Sequence, residues 1–130
     1  MSNATWFKSG RVAVVSGFAF AADLVTAILV RPEYTPDFLT HSEQGHIPAD
    51  YQVAESPVTG RTITESVLLR CDDIVADLPP GVVVGGVVLI AESGEVDTSP
   101  LLVYLSGAGF PFTTDGTPVT IQVPNGLVQF

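Results

Sequence analysis

The sequence predicts a mainly β domain, a β-sandwich or small barrel of about seven strands with a short N-terminal helix. Three observations carry this expectation. The 130 residues include 12 Gly and 10 Pro, and these punctuate short apolar runs rich in valine, isoleucine and leucine, the pattern of strands between turns. Several runs alternate apolar and polar residues, as a strand with one buried face does. Helical spacing occurs only near the N-terminus. The chain is 46 % apolar and 15 % charged, where an ordinary soluble domain carries about 25 % charged residues. Such a chain is too apolar for whole-chain disorder, and its length fits one domain.

The elements follow in order. Ser2 or Asn3 can cap a helix over 4–16, because their side-chain oxygens accept from otherwise unpaired first-turn amides. Phe7, Gly10 and Val14 recur at helical spacing, and Gly17 is a natural stop. Residues 1–22 read as an N-terminal arm and 23–130 as a single β domain. Residues 24–30 form an apolar strand closed by Arg31-Pro32, since proline cannot extend a central ladder. Residues 32–50, with Pro32, Pro36, Gly45 and Pro48, are the longest loop and the best candidate for an extended contact arm. Strands are expected at 51–55 and 61–70, the latter with Ile63, Val67 and Leu69 on one face. Pro79-Pro80-Gly81 breaks the chain before the apolar run 82–91, where Gly85-Gly86 signals a bulge or a close backbone approach. Further strands are expected at 101–105, 119–123 and 127–130, with Phe110 and Phe112 in the loop between the first two and a tight turn at Pro124-Asn125-Gly126.

Charge is divided along the chain. Residues 1–31 hold Lys8, Arg11 and Arg31 against Asp23, a balance of +2, and the other 99 hold Arg61 and Arg70 against 13 acids, a balance of −11. An acidic body repels phosphate, which argues against nucleic-acid binding, while an arm of opposite sign can reach a neighbour. Residues 12–30 carry one charge, Asp23, and are long enough to mimic a membrane span. Lys8, Arg11 and Ala19-Phe20-Ala21 likewise mimic a signal peptide. Ser16-Gly17 breaks the run and Asp23 is costly in lipid, so a short helix followed by a buried strand is the preferred reading, with no membrane partner. Cys71, the single cysteine, cannot form an internal disulfide. It reads as a small buried hydrophobe in a chain suited to a reducing compartment.

The search for chemistry yields no catalytic constellation and no cofactor motif. His41 and His46 share the long loop with Asp37, Glu43 and Asp50, a ligand set that suits zinc or manganese in kind. Its spacing matches no metal-binding pattern, and solvated loop residues are the expectation, with no metal site. Asp72-Asp73 suits a strand end as well as half of a carboxylate pair. No G-x-S-x-G, P-loop or dinucleotide fingerprint is present. A non-enzymatic role is therefore expected.

Taken in order, several short motifs resemble those of a family of small tailed-bacteriophage virion proteins. They are Met1-Ser2-Asn3-Ala4-Thr5-Trp6-Phe7-Lys8, Thr26-Ala27-Ile28-Leu29-Val30, Tyr34-Thr35-Pro36-Asp37, Ile47-Pro48-Ala49 and Val58-Thr59-Gly60-Arg61-Thr62. Val87-Val88-Leu89-Ile90, Leu101-Leu102-Val103-Tyr104-Leu105 and Val119-Thr120-Ile121-Gln122 before Asn125-Gly126 complete the series. The sequence departs from the family at Pro124, where an aromatic residue is usual, and at the apolar 107–112, where an acidic, threonine-rich loop is usual. The resemblance implies a structural protein of the virion: head decoration, minor capsid or tail-associated. On that basis the expected place is the capsid surface after assembly in the bacterial cytoplasm. The expected partners are the major capsid protein and copies of the chain itself in a symmetric oligomer such as a trimer. Trp6, Phe7, Lys8, Arg11, Tyr34, Phe38, Phe110 and Phe112 are the expected interface residues, with the aromatic ones as anchors. A tail or baseplate component and an exposed receptor- or carbohydrate-binding module are the competing readings.

Overall fold

The computed structural model describes residues 2–15, 17, 23–63, 69–95, 98–107 and 110–123, with Ser2, Asn3 and Ile63 described by backbone only. Its centre is a five-stranded antiparallel sheet. In spatial order the strands are β1 (Ser2–Trp6), β9 (Leu101–Gly107), β8 (Gly86–Ala91), β2 (Val25–Val30) and β3 (Gln52–Pro57). The sheet is open, because its outermost strands β1 and β3 do not pair with each other. Three two-stranded ribbons accompany it. They are β4 (Thr62–Ile63) with β5 (Leu69–Arg70), β6 (Ile74–Ala76) with β11 (Val119–Ile121), and β7 (Val83–Val84) with β10 (Phe112–Thr113). One α-helix, α1 (Lys8–Val15), follows β1.

β2 and β8 are central and aliphatic because both of their faces are buried, the condition that produces near-continuous apolar runs. The pairings Ala27↔Leu89 and Leu29↔Val87 point to one face, where the ribbon residues Leu69, Ile74, Val84 and Ile121 complete the core. Ile28↔Val88 points to the other face. There Phe7, Tyr34 and Ile47 close a second core with Val30, Ile90 and Leu101. The period of two along each strand thus divides the aliphatic residues between two cores. Burial of this kind contributes about 25 cal/mol per Å² of apolar surface removed from water.

Glycines shape the joints. A Cβ on Gly10 would lie 2.4 Å from the Leu102 carbonyl oxygen, so α1 packs flush against β9 only with glycine there. A Cβ on Gly86 would lie 2.5 Å from the Tyr104 hydroxyl oxygen, and its absence makes room for that ring on the neighbouring strand β9. Gly85 separates β7 from β8 and donates its amide to the Val30 carbonyl at 2.7 Å. The expected close approach at the glycine pair is therefore present.

The mainly β fold with a short N-terminal helix is as the sequence predicts. Its start differs. Residues 2–6 are a strand rather than the first turn of a helix, because Ala4 and Trp6 pair opposite Leu105 and Val103. A sheet edge satisfies their backbone groups, and this tertiary pairing overrides the local capping signal. The first segment is thus part of the sheet. The expected helix survives as Lys8–Val15, and Gly17 ends it with a positive φ of 112° and an amide bond back to Val14. The described parts of the apolar stretch include the end of this helix and β2, and among the described residues no helix is long and apolar enough to cross a membrane. β6 has no counterpart in the sequence reading. The expected single strand 61–70 is instead two, β4 and β5, which pair antiparallel with Thr62 opposite Arg70 and Ile63 opposite Leu69, so the chain reverses between them. Residues 64–68, the 124–126 turn and the 127–130 strand lie outside the described residues.

Candidate interaction surface

The long loop 31–51 does not extend as an arm. It folds back over the second face of the sheet and includes two short 3₁₀ turns, Gln44–His46 and Ala49–Tyr51. Its apolar residues explain this. Tyr34 and Ile47 are buried, and Phe38 is half-buried with its ring 5.0 Å from Phe7 and 6.2 Å from Tyr104. Backbone bonds hold the loop down. Lys8 donates to the Phe38 carbonyl at 2.8 Å, Gln44 to Ser99 at 2.9 Å, and Leu101 to Ser42 at 3.2 Å. The buried Gln44 side chain donates to Gln52 Oε1 at 3.0 Å and Glu55 Oε1 at 3.1 Å on β3, so its amide group meets the requirement that buried polar groups be paired.

This fold-back brings the loop tip beside α1. Between them runs an open groove of about 390 Å³, lined by Lys8, Val12 and Ala13 on the helix and by Leu39, Thr40 and Ser42 on the loop. Val12 is 53 % exposed, Val15 75 % and Leu39 76 %. These are large apolar side chains left in water; among the described residues Leu24, at 68 %, and Val75, at 53 %, are exposed to a similar degree. Lys8 and Arg11 are also exposed, and the Arg11 guanidinium lies 5.9 Å from the Trp6 ring centroid, within cation–π range. The groove therefore joins exposed aliphatic side chains to one cation, Lys8, on a molecule of net charge −9.

The expected interface residues divide accordingly. Lys8 lines the groove, and Arg11 is exposed on the same helix beside Trp6. Phe7 and Tyr34 are enclosed: Phe7 is fully buried and Tyr34 nearly so, because both fill the core beneath the loop. Trp6 is at the limit of burial and packs with the ribbon-side core. Phe38 bridges the loop tip to that interior. Phe110 and Phe112, with rings 5.7 Å apart, pack half-buried on the opposite layer. The predicted set thus consists of two exposed cations and six aromatics that the chain uses wholly or partly to hold itself together. The sequence does not single out the exposed aliphatics Val12, Val15 and Leu39. Their signal was weak, since an apolar residue in a short helix or loop reads first as core.

The titratable groups complete the description. The Tyr34 hydroxyl donates to His41 Nδ1 at 3.0 Å and shares that acceptor with the Asp37 amide, and burial, with Tyr104 and Asp37 adding to it, raises its hydroxyl far above the ordinary phenol range. Hydrogen bonds from Thr40 and Leu39 hold the exposed Asp37 carboxyl below its ordinary value. Burial, then Asp72 and Asp73, pushes the Cys71 thiol up to about 11, which disfavours the nucleophilic thiolate. Among the described residues no three His, Cys, Asp or Glu groups converge to hold a metal. The Nδ1 atoms of His41 and His46 accept backbone amides from Asp37 at 3.1 Å and Ser42 at 2.9 Å. Each neutral ring then carries its proton on Nε2, the atom a metal would need free.

Comparison with protein-family models, curated proteins and solved structures finds no match to this chain.

Proposed function

We propose that this chain is a non-enzymatic structural protein of a bacteriophage virion. It decorates or cements the capsid lattice by docking on the major capsid protein and on copies of itself. The reading rests on the ordered motifs that resemble small virion proteins. The observation that carries it is the placement of α1 and the loop tip side by side. The two segments expected to contact neighbours meet at a groove lined by the exposed Val12 and Leu39 and by Lys8, with Val15 and Arg11 exposed on the same helix. Aliphatic side chains that leave water on docking supply the contact energy, and the cations steer an acidic neighbour. A site offered only by the assembled lattice stabilises that lattice by linkage.

Purified heads and tails analysed separately by mass spectrometry test the location. The chain is expected in heads at a copy number comparable to the capsid lattice. Recovery from tails alone favours the tail or baseplate role, and absence from both removes the virion reading. Leu39→Asp with Val12→Asp tests the surface, and is expected to abolish retention on heads while the isolated protein keeps its fold. This is cleaner than truncating residues 1–16, which would remove β1 and Phe7 from the sheet and its core.

A further inference from the structure

The histidine pair of the covering loop lies apart from the groove's own contacts. Both rings use the same atom for the same purpose. His41 Nδ1 accepts the Asp37 amide at 3.1 Å, and His46 Nδ1 accepts the Ser42 amide at 2.9 Å. An amide N–H can only donate, so each bond requires an Nδ1 without a proton. The ring centroids are 6.0 Å apart, close enough for two protonated imidazoles to repel. Four residues separate each ring from the amide it receives, so the two bonds close consecutive turns of the segment 37–46.

We propose that His41 and His46 form a proton-sensitive latch: neutral rings fasten the loop tip through Nδ1, and protonation of both releases it. The tip carries Phe38 and Leu39, so its release alters one wall of the groove. The inference holds whatever docks there and does not depend on the virion role.

The surrounding groups set the balance. The Tyr34 hydroxyl keeps its proton and can donate to a neutral His41. Toward a protonated ring it can only turn round and accept, leaving the Asp37 amide without its acceptor. The Asp37 carboxylate near His41 and Glu43 Oε1, 3.8 Å from His46 Nε2, attract charged rings in the closed form and so oppose release, which comes from the loss of the two Nδ1 acceptors and the repulsion between the rings. Across the segment, Lys8 lies on α1, Tyr104 on β9 and Glu55 on β3; Tyr104 contacts Tyr34 and Phe38, and Glu55 contacts Gln44. The closed form needs an unprotonated Nδ1 on both rings, so it is favoured at high pH and lost as both rings take up protons.

Nitrogen-15 spectra of the full chain are the test. At pH 8 long-range ring correlations are expected to show Nδ1 unprotonated and Nε2 protonated in both histidines. Between pH 8 and pH 5 the exchange protection of the Asp37 and Ser42 amides, corrected for intrinsic rates, is expected to fall by about five- to tenfold, while amides of β2 and β8 keep theirs. In His41→Asn with His46→Asn, the Oδ1 atoms replace Nδ1 as acceptors that do not titrate, and the protection is expected to persist at pH 5. An Nδ1–H tautomer at pH 8, unchanged protection in the wild type at pH 5, or the same acid loss in the double variant overturns the latch. Ring spectra and wild-type exchange decide it alone if the double variant does not fold.

Discussion

The two faces of the central sheet are buried in different ways. The ribbon side is covered by secondary structure: β4–β5, β6–β11 and β7–β10 place Leu69, Ile74, Val84 and Ile121 over Leu29, Val87 and Leu89. The loop side is covered by one irregular segment and by Phe7, and its contacts are largely aromatic: Phe7, Phe38, Tyr34 and Tyr104 meet ring to ring. Ladder bonds satisfy the backbone of the first cover. The second relies on single backbone bonds and on the side chains of Gln44, Asp37, His41 and His46. A ribbon is a generic lid. A loop held by individual polar contacts can respond to a proton or a partner, and the exposed groove lies on that side.

The sharpest way to break this contrast is to open each core once. Phe7→Ala on the loop side is expected to cost about 4 kcal/mol, and Leu89→Ala on the ribbon side about 3 kcal/mol, read as shifts in denaturant midpoint at constant slope. A loss below about 1 kcal/mol for Phe7→Ala would mean that the loop does not pack on the sheet as tightly as the ribbons do. A smaller effect tests the polar fastening. Gln44→Ala removes the donor to Gln52 and Glu55 and is expected to cost about 1–2 kcal/mol, with the exchange protection of 37–46 falling more than that of β6. If β6 loses as much as the loop, Gln44 supports the whole fold rather than the cover.

The smallest expected effect is the acid limb. Asp37 on the loop side and Asp115 on the ribbon side both have carboxyls held low by local bonds, from Thr40 and Leu39 in one case and from Thr117 in the other. A carboxyl lower in the folded than in the unfolded chain contributes stability that is present above the unfolded value, about 4, and lost as pH falls through the folded one. Asp37→Asn and Asp115→Asn each remove that contribution, so each is expected to lower stability slightly at pH 7 and to flatten the profile below about pH 4. A profile unchanged by both would place acid sensitivity elsewhere.

The strands were legible where the side-chain period spoke clearly. Residues 25–30, 86–91 and 101–105 are aliphatic on both faces and bounded by Pro or Gly, and each is a strand of the central sheet. β1 was not legible. Ser2, Asn3 and Ala4 carry a helix-capping signal, and only the edge of β9 makes them a strand. The surface was half legible. Lys8 and Arg11 stand out as isolated cations in an acidic chain, but only size marks Phe7 and Tyr34, and size serves a core as well as an interface.

By itself, the sequence determined the class of the fold and most of its strands, because turn residues and the period of apolar side chains are local properties. It also set the separation of a slightly basic start from an acidic body. Only the tertiary structure decided that the loop 31–51 folds inward, that β1 joins the sheet, and that Val12, Val15 and Leu39 remain in water. Those outcomes depend on which distant backbone edge and which core space are available. A pattern of neighbours along the chain does not contain that information.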